Sequence, residues 1–169
     1  MKLSFTILTI CTMAILLYNI IPSPLSNAQN FTLLDNKLTM KEIGCHSEEH
    51  FEFHIHTKLD IMIDNQLYPI PANIGIIPEH CIYWLHTHDN SGLIHIESPI
   101  KRNFTLGQFL PIWKLFDNSD IVHEIADDKI NGNITIHVNY PHSNTSVMTE
   151  YSNLVLKDQD RILLNITTH

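Results

Sequence analysis

The sequence predicts a mainly β protein: an antiparallel sheet or sandwich of about seven to nine strands, with one helix packed against it, after an N-terminal signal or anchor helix. Three observations carry this. The run FEFHIHTKLDIMI from Phe51 to Ile63 alternates apolar and polar residues for most of its length, the period of a half-buried strand. Asp89-Asn90-Ser91-Gly92 places four turn-forming residues between Ile82-Tyr83-Trp84-Leu85 and Leu93-Ile94-His95-Ile96-Glu97, two runs rich in strand-favouring side chains. Leu106, Phe109, Leu110 and Trp113 recur at helical spacing, and nowhere else is that period as clear.

Taken in order, Met1 to Ala28 has the build of a secretory signal. Lys2 is followed by an apolar run from about Phe5 to Ile21, and Ser26-Asn27-Ala28 gives a small-x-small pattern ahead of Gln29. An uncleaved membrane anchor is the alternative, because the run approaches the length of a spanning helix. Both readings make residues 29–169 a single domain outside the cytoplasm, secreted or held at the outer face of the membrane. Phe31 to Met40 suggests a short strand or extended lead-in. Asp64-Asn65-Gln66 reads as a turn and Leu67 to Ile70 as the returning strand, kept at an edge by Pro69 and Pro71. Ile74 to Ile77 is a short buried segment. Thr105 and Gln108 have the spacing of a capping box, so the helix is expected over Leu106 to Leu115, with Pro111 at a position that could kink it. Asp117 to Asp128 is acidic and has no assigned structure. Asn133 to Tyr140 reads as a strand and Pro141 to Thr149 as a loop. Leu154 to Leu156 and Ile162 to Ile166 read as two short closing strands.

Cysteine usage fits export. Cys11 falls in the leader, which leaves Cys45 and Cys81 to form one disulfide. Such a bridge could contribute roughly 3–4 kcal/mol by loop-closure entropy. Two thiolate metal ligands are the alternative reading. Acceptor sequons for N-glycosylation stand at Asn30, Asn103, Asn133, Asn144 and Asn165. The whole chain has 10 basic and 18 acidic side chains, and Lys2 is the only charge in the leader. The remainder is therefore acidic, which argues against nucleic acid and anionic membrane surfaces as partners and suits cations. Membrane contact is expected only through the N-terminal segment, if it is retained.

The compositional outlier is histidine, with 12 residues, all beyond the leader. On a strand, residues two apart share a face. His54 and His56 therefore project together, as do His86 and His88, and His95 and Glu97. If the strands around the Asp89–Gly92 turn pair, these couples meet, and neutral imidazole is the commonest metal ligand. The expected metal ligands are His54, His56, His86, His88, His95 and Glu97. His46 and His50 are candidates for a peripheral ligand. Asp89 is either an orienting partner of a ligating imidazole or an ordinary turn residue. With both cysteines paired, a blue-copper centre lacks its thiolate; several imidazoles fit copper or zinc, and two with Glu97 would fit non-haem iron.

The segments FHIHTKLDIMID, IPANIGI, CIYWLHTHDNSGLIHIESP and FTLGQF resemble an uncharacterised family of small exported His-rich proteins of archaea and bacteria, over about Phe51 to Phe109. That resemblance implies an exported setting and carries no established activity. His54-Ile55-His56 is similar in design to the copper ligands of copper–zinc superoxide dismutases, whose zinc-loop histidines are missing here. It is also similar to the His-x-His strand of cupins, where Asp60 stands in place of their Glu. The first functional expectation is an exported protein that binds copper, or next zinc, for delivery, buffering or assembly, with a receiving metalloenzyme as partner. The second is a metalloenzyme at the same site, with Glu97 or Asp89 as general base. The third is an envelope interaction protein with no metal.

Overall fold

A computed structural model describes residues 42–139, 146–147 and 150–169. The expected signal or anchor at Met1 to Ala28, the lead-in at Phe31 to Met40, and the sequons at Asn30 and Asn144 lie outside them. The described residues belong to one compact unit, Asn36–His169. No helix among them is long and apolar enough to cross a membrane.

The strands in chain order are β1 (Cys45–His46), β2 (Phe53–Ile63), β3 (Gln66–Tyr68), β4 (Ile76–Ile77), β5 (Cys81–Tyr83), β6 (Leu85–His86), β7 (Leu93–Ser98), β8 (Phe104–Thr105), β9 (Gly132–Val138), β10 (Ser146–Val147), β11 (Val155–Leu156) and β12 (Arg161–Thr168). Two helices, α1 (Leu106–Phe116) and α2 (Asp120–Asp127), lie between β8 and β9. The main sheet has seven strands in the order β10-β9-β12-β2-β7-β6, with β3 pairing the far end of β2. Smaller sheets join β1-β5-β4 and β11-β8. The fold is thus mainly β with helical cover, as the alternation predicts.

The long strand β2 is the spine. Thr57, Leu59 and Ile61 are buried, and the residues between them point the other way. Asp64 and Asn65 both take positive φ, 50° and 66°, which is what a two-residue hairpin turn into β3 requires. The helix α1 buries Leu106, Phe109, Leu110, Ile112 and Trp113 in one cluster with Leu59, Ile61, Leu85, Ile94 and Ile96. At its start Gln108 Oε1 accepts the Thr105 backbone N–H at 3.0 Å, in the capping box that the Thr105–Gln108 spacing predicts. The helix runs through Pro111 to Phe116.

Three expectations are corrected, and one unassigned stretch is resolved. The acidic stretch left unassigned holds a second helix, α2, from Asp120 to Asp127, because Val122 and Ile125 give it a buried stripe and Asp128 closes it in the left-handed conformation. The run from Ile82 to Leu85 is not one strand: it breaks at Trp84, so that Cys81–Tyr83 joins one sheet and Leu85–His86 another. The segment from Pro141 to Thr149 is not all loop, since Ser146–Val147 pairs with β9. The closing strand β12 is long and central, running parallel to β2 and antiparallel to β9. Its Ile162, Leu164 and Ile166 are buried, which an interior strand demands.

The turn after β6 depends on Gly92, which has φ +78° and whose backbone carbonyl accepts from the Leu59 N–H at 2.9 Å. A Cβ there would run into the Leu59 carbonyl oxygen. Gly92→Ala is therefore expected to destabilise the protein by about 2 kcal/mol or more. Urea denaturation reads this directly, and an unchanged midpoint would mean that the turn can rearrange without cost.

Candidate metal centre

The main sheet sets the side chains in rows. The β2–β7 pairing puts His56 opposite His95 and His54 opposite Glu97, and the β6–β7 pairing puts His86 opposite His95. His86, His95 and His56 thus form one row across three strands, with Glu97 and His54 in the next. Between the rows, Leu85, Ile96 and Ile55 point to the core face. His88 lies just past β6 and turns back to join them.

The distances are those of a converging donor set. His86 Nε2 lies 3.1 Å from His88 Nε2, and His54 Nε2 lies 3.0 Å from His56 Nε2. Glu97 Oε1 is 3.2 Å from His54 Nε2, 3.4 Å from His95 Nδ1 and 4.0 Å from His86 Nε2. Its other oxygen, Oε2, is buried and finds no partner among the described residues. The tautomer of His86 is set by its surroundings. Its Nδ1 donates to the Tyr83 carbonyl at 2.9 Å, so in the neutral ring Nε2 carries the free lone pair and faces the cluster. Two groups result, each with donor atoms within 4.8 Å of one another: His86, His88, His95 and Glu97, and His54, His56 and His95. Each group could hold a metal ion.

Burial decides the charge state. The His86 imidazole has no exposed surface, and burial pushes its pKa down to about 4, with His88, His95 and His54 adding repulsion. His95 is also pushed down to about 4, by burial first and then by His56, His88 and His54. His56 is lowered by burial and by His54. Burial raises Glu97, and the carboxylate of Glu49 raises it further. A cation would relieve each of these penalties at once, because it needs neutral imidazoles and an ionised carboxylate.

Of the other sequence candidates, Asp89 is exposed and its Oδ1 accepts the Ser91 N–H at 2.8 Å, which makes it the residue that shapes the turn. That hydrogen bonding lowers its pKa, and it stands in neither group. His46 Nδ1 and His50 Nε2 are in contact with each other, outside both groups. His80 is bonded to the Pro78 carbonyl, and His123 to that of Asp117, both away from the cluster. Sequence reasoning missed Glu49, whose Oε1 lies 3.5 Å from His88 Nε2. The Cys45–Cys81 disulfide is formed and holds the start of this segment against β5, four residues from Glu49. An acid between His46 and His50, close to a cysteine paired with the base of the hairpin, was the available signal.

No family model, curated protein or solved structure matches this chain.

The depressed imidazoles give a pH prediction for the metal-free protein. The unfolded chain protonates these rings near the ordinary value of about 6.5, whereas the folded protein holds His86 and His95 neutral to about 4. Between those limits the unfolded state binds more protons, so stability is full above the upper limit and falls as pH drops through the window. Imidazole proton shifts should show the two rings titrating near pH 4, and ordinary midpoints for both would refute the burial argument.

Proposed function

We propose that this is an exported protein that binds a transition metal, copper first and zinc next, at the cluster on β2, β6 and β7. One observation supports this above the rest: donor atoms of His86, His88, His95 and Glu97 lie within 4.8 Å of one another, with His86 and Glu97 buried and Glu97 Oε2 without a partner among the described residues. Imidazole with carboxylate suits both metals, and copper(II) binds such donors more tightly than the other divalent first-row ions. The disulfide hints at an extracytoplasmic location, and the leader-like composition of Met1 to Ala28 supports secretion or anchoring. Among the sequons, Asn103 and Asn133 are exposed, which suits their use as acceptors in a secreted protein.

The exposure of His54 and His88 favours delivery or buffering over catalysis, because outer ligands open to solvent allow an ion to be passed on. A receiving metalloenzyme is the partner this implies. A second reading, a metalloenzyme at the same site, is favoured by one feature: Glu97 has a raised pKa and could move a proton beside a bound ion.

Chelator-treated full-length protein, titrated with copper(II) and with zinc by calorimetry, tests the proposal. The wild type should bind at least one ion per chain, and His86→Ala/His88→Ala should weaken that binding by about a hundredfold or more. Equal binding in both proteins, with unchanged circular dichroism, would remove the cluster as the site.

A further inference from the structure

We infer that the cluster is built for two adjacent ions that share His95, rather than for one; this rests on the metal-binding reading above. The donors outnumber what one ion uses. Six residues contribute, whereas zinc and copper sites of this kind take three or four protein ligands. No one set of donor atoms within 4.8 Å of one another contains all six. The donor atoms fall into two groups with His95 alone in common; His86 and His88 stand on one side of it and His54 and His56 on the other, with Glu97 Oε1 between them, 4.0 Å from His86 Nε2 and 3.2 Å from His54 Nε2.

The position of the His95 ring agrees. It stacks on the His86 ring at 5.4 Å between centroids and meets the His88 ring edge-on at 4.5 Å. On the other side it meets the His56 ring edge-on, also at 4.5 Å. Each flanking couple already has its Nε2 atoms about 3 Å apart, at 3.1 Å for His86 and His88 and 3.0 Å for His54 and His56. That is about the spacing of two nitrogens on one metal at bond lengths near 2.0–2.1 Å. Two such couples flanking one imidazole make two coordination sites with a common member. Glu97 Oε1, 3.2 Å from His54 Nε2 and 3.4 Å from His95 Nδ1, lies near the junction and links the second group to the first.

The two sites differ in kind. On the first, His86 and Glu97 are buried and the tautomer of His86 is fixed by Tyr83. On the second, His54 is exposed and His56 half-buried. The first should fill ahead of the second, with affinities separated by about ten- to a hundredfold, the usual effect of an orienting hydrogen bond on a ligand. An imidazole joins two ions only when neither nitrogen carries a proton. Binding of the second ion therefore sends the remaining His95 N–H proton to solvent, with no oxidation or reduction of either partner.

The experiment uses full-length, chelator-treated protein carrying His46→Ala and His50→Ala, so that this separate pair takes up no copper. Copper(II) is added stepwise, and calorimetry in two buffers of different ionisation heat is followed by electron paramagnetic resonance. Two equivalents are expected, in two affinity classes. The second step should release one more proton than the first, and the resonance signal should lose intensity through spin coupling. His56→Ala should bind one equivalent with an ordinary isolated-copper spectrum; His54→Gln, at an exposed position, gives the same test if the first variant does not fold. One equivalent in the parent protein overturns the inference and leaves the single-site reading in place. Two equivalents with uncoupled spectra overturn the sharing of His95. No uptake at all removes the metal reading itself.

Discussion

The register of two antiparallel pairings decides whether this protein has a site. His56, His95 and His86 stand in one row because β7 meets β2 and β6 at one particular alignment. Side chains alternate along a strand, so a slip of one residue on β7 would turn His95 and Glu97 toward the core and bring Ile94 and Ile96 out to solvent. Both isoleucines are fully buried in the native register, together with Leu85 and Leu59. Full burial of each such side chain contributes about 1.5–3 kcal/mol. The aliphatic face thus holds the imidazoles in place on the opposite side. The apolar half of the alternating pattern pins the polar half, and no imidazole has to contribute to stability for the cluster to exist.

The cluster itself is unfavourable in the metal-free protein. Buried imidazoles lose the option of charging, and a buried carboxylate with an unpartnered oxygen has lost water without full replacement. Several imidazoles and a carboxylate brought together on one face at a cost in desolvation are the kind of local inconsistency expected at a functional site. The surrounding structure is reinforced there. The disulfide and the β1–β5 pairing fix the segment that carries Glu49, and Gly44 lets that segment lie directly against the Trp84 ring. Trp84 in turn marks the place where the strand changes sheets, and its backbone carbonyl accepts the Glu97 N–H at 2.8 Å. The break that divides β5 from β6 therefore also anchors the residue next to the ligand row.

Local pattern made β2, the turn at Asp89–Gly92, the helix α1 and the disulfide legible, because each depends on residues close in sequence or, for the cysteines, on elimination. The two-apart spacing of the histidines was legible for the same reason. What could not be read was partnership over distance. The parallel pairing of β12 with β2 joins residues about a hundred positions apart, as in Ile162 with Leu59, and nothing in either run specifies the other. The placement of Glu49 needed the disulfide, the β1–β5 register and the bend at Trp84 together. The helix α2 was a different failure. Ile121, Val122 and Ile125 do have helical spacing, but the run is short and set among acids, so the stretch had no assigned structure, and its burial against α1 is a tertiary fact.

Exposure across the cluster is graded, and the grading has chemical meaning for an ion. His54 and His88 reach solvent, His56 and His95 are half-buried, and His86 and Glu97 lie beneath. A hydrated cation would first exchange water for an outer imidazole, where the protein loses little by binding it. It would then exchange its remaining waters for inner donors whose desolvation was completed when the chain folded. The inner step would supply most of the affinity, because His86 and Glu97 would recover there the electrostatic cost that burial imposes on them. The outer step would govern exchange, because the same imidazoles are the ones a competing ligand could reach. On the proposed metal-binding reading, buried inner donors beneath accessible outer ones would favour both retention and exchange of an ion.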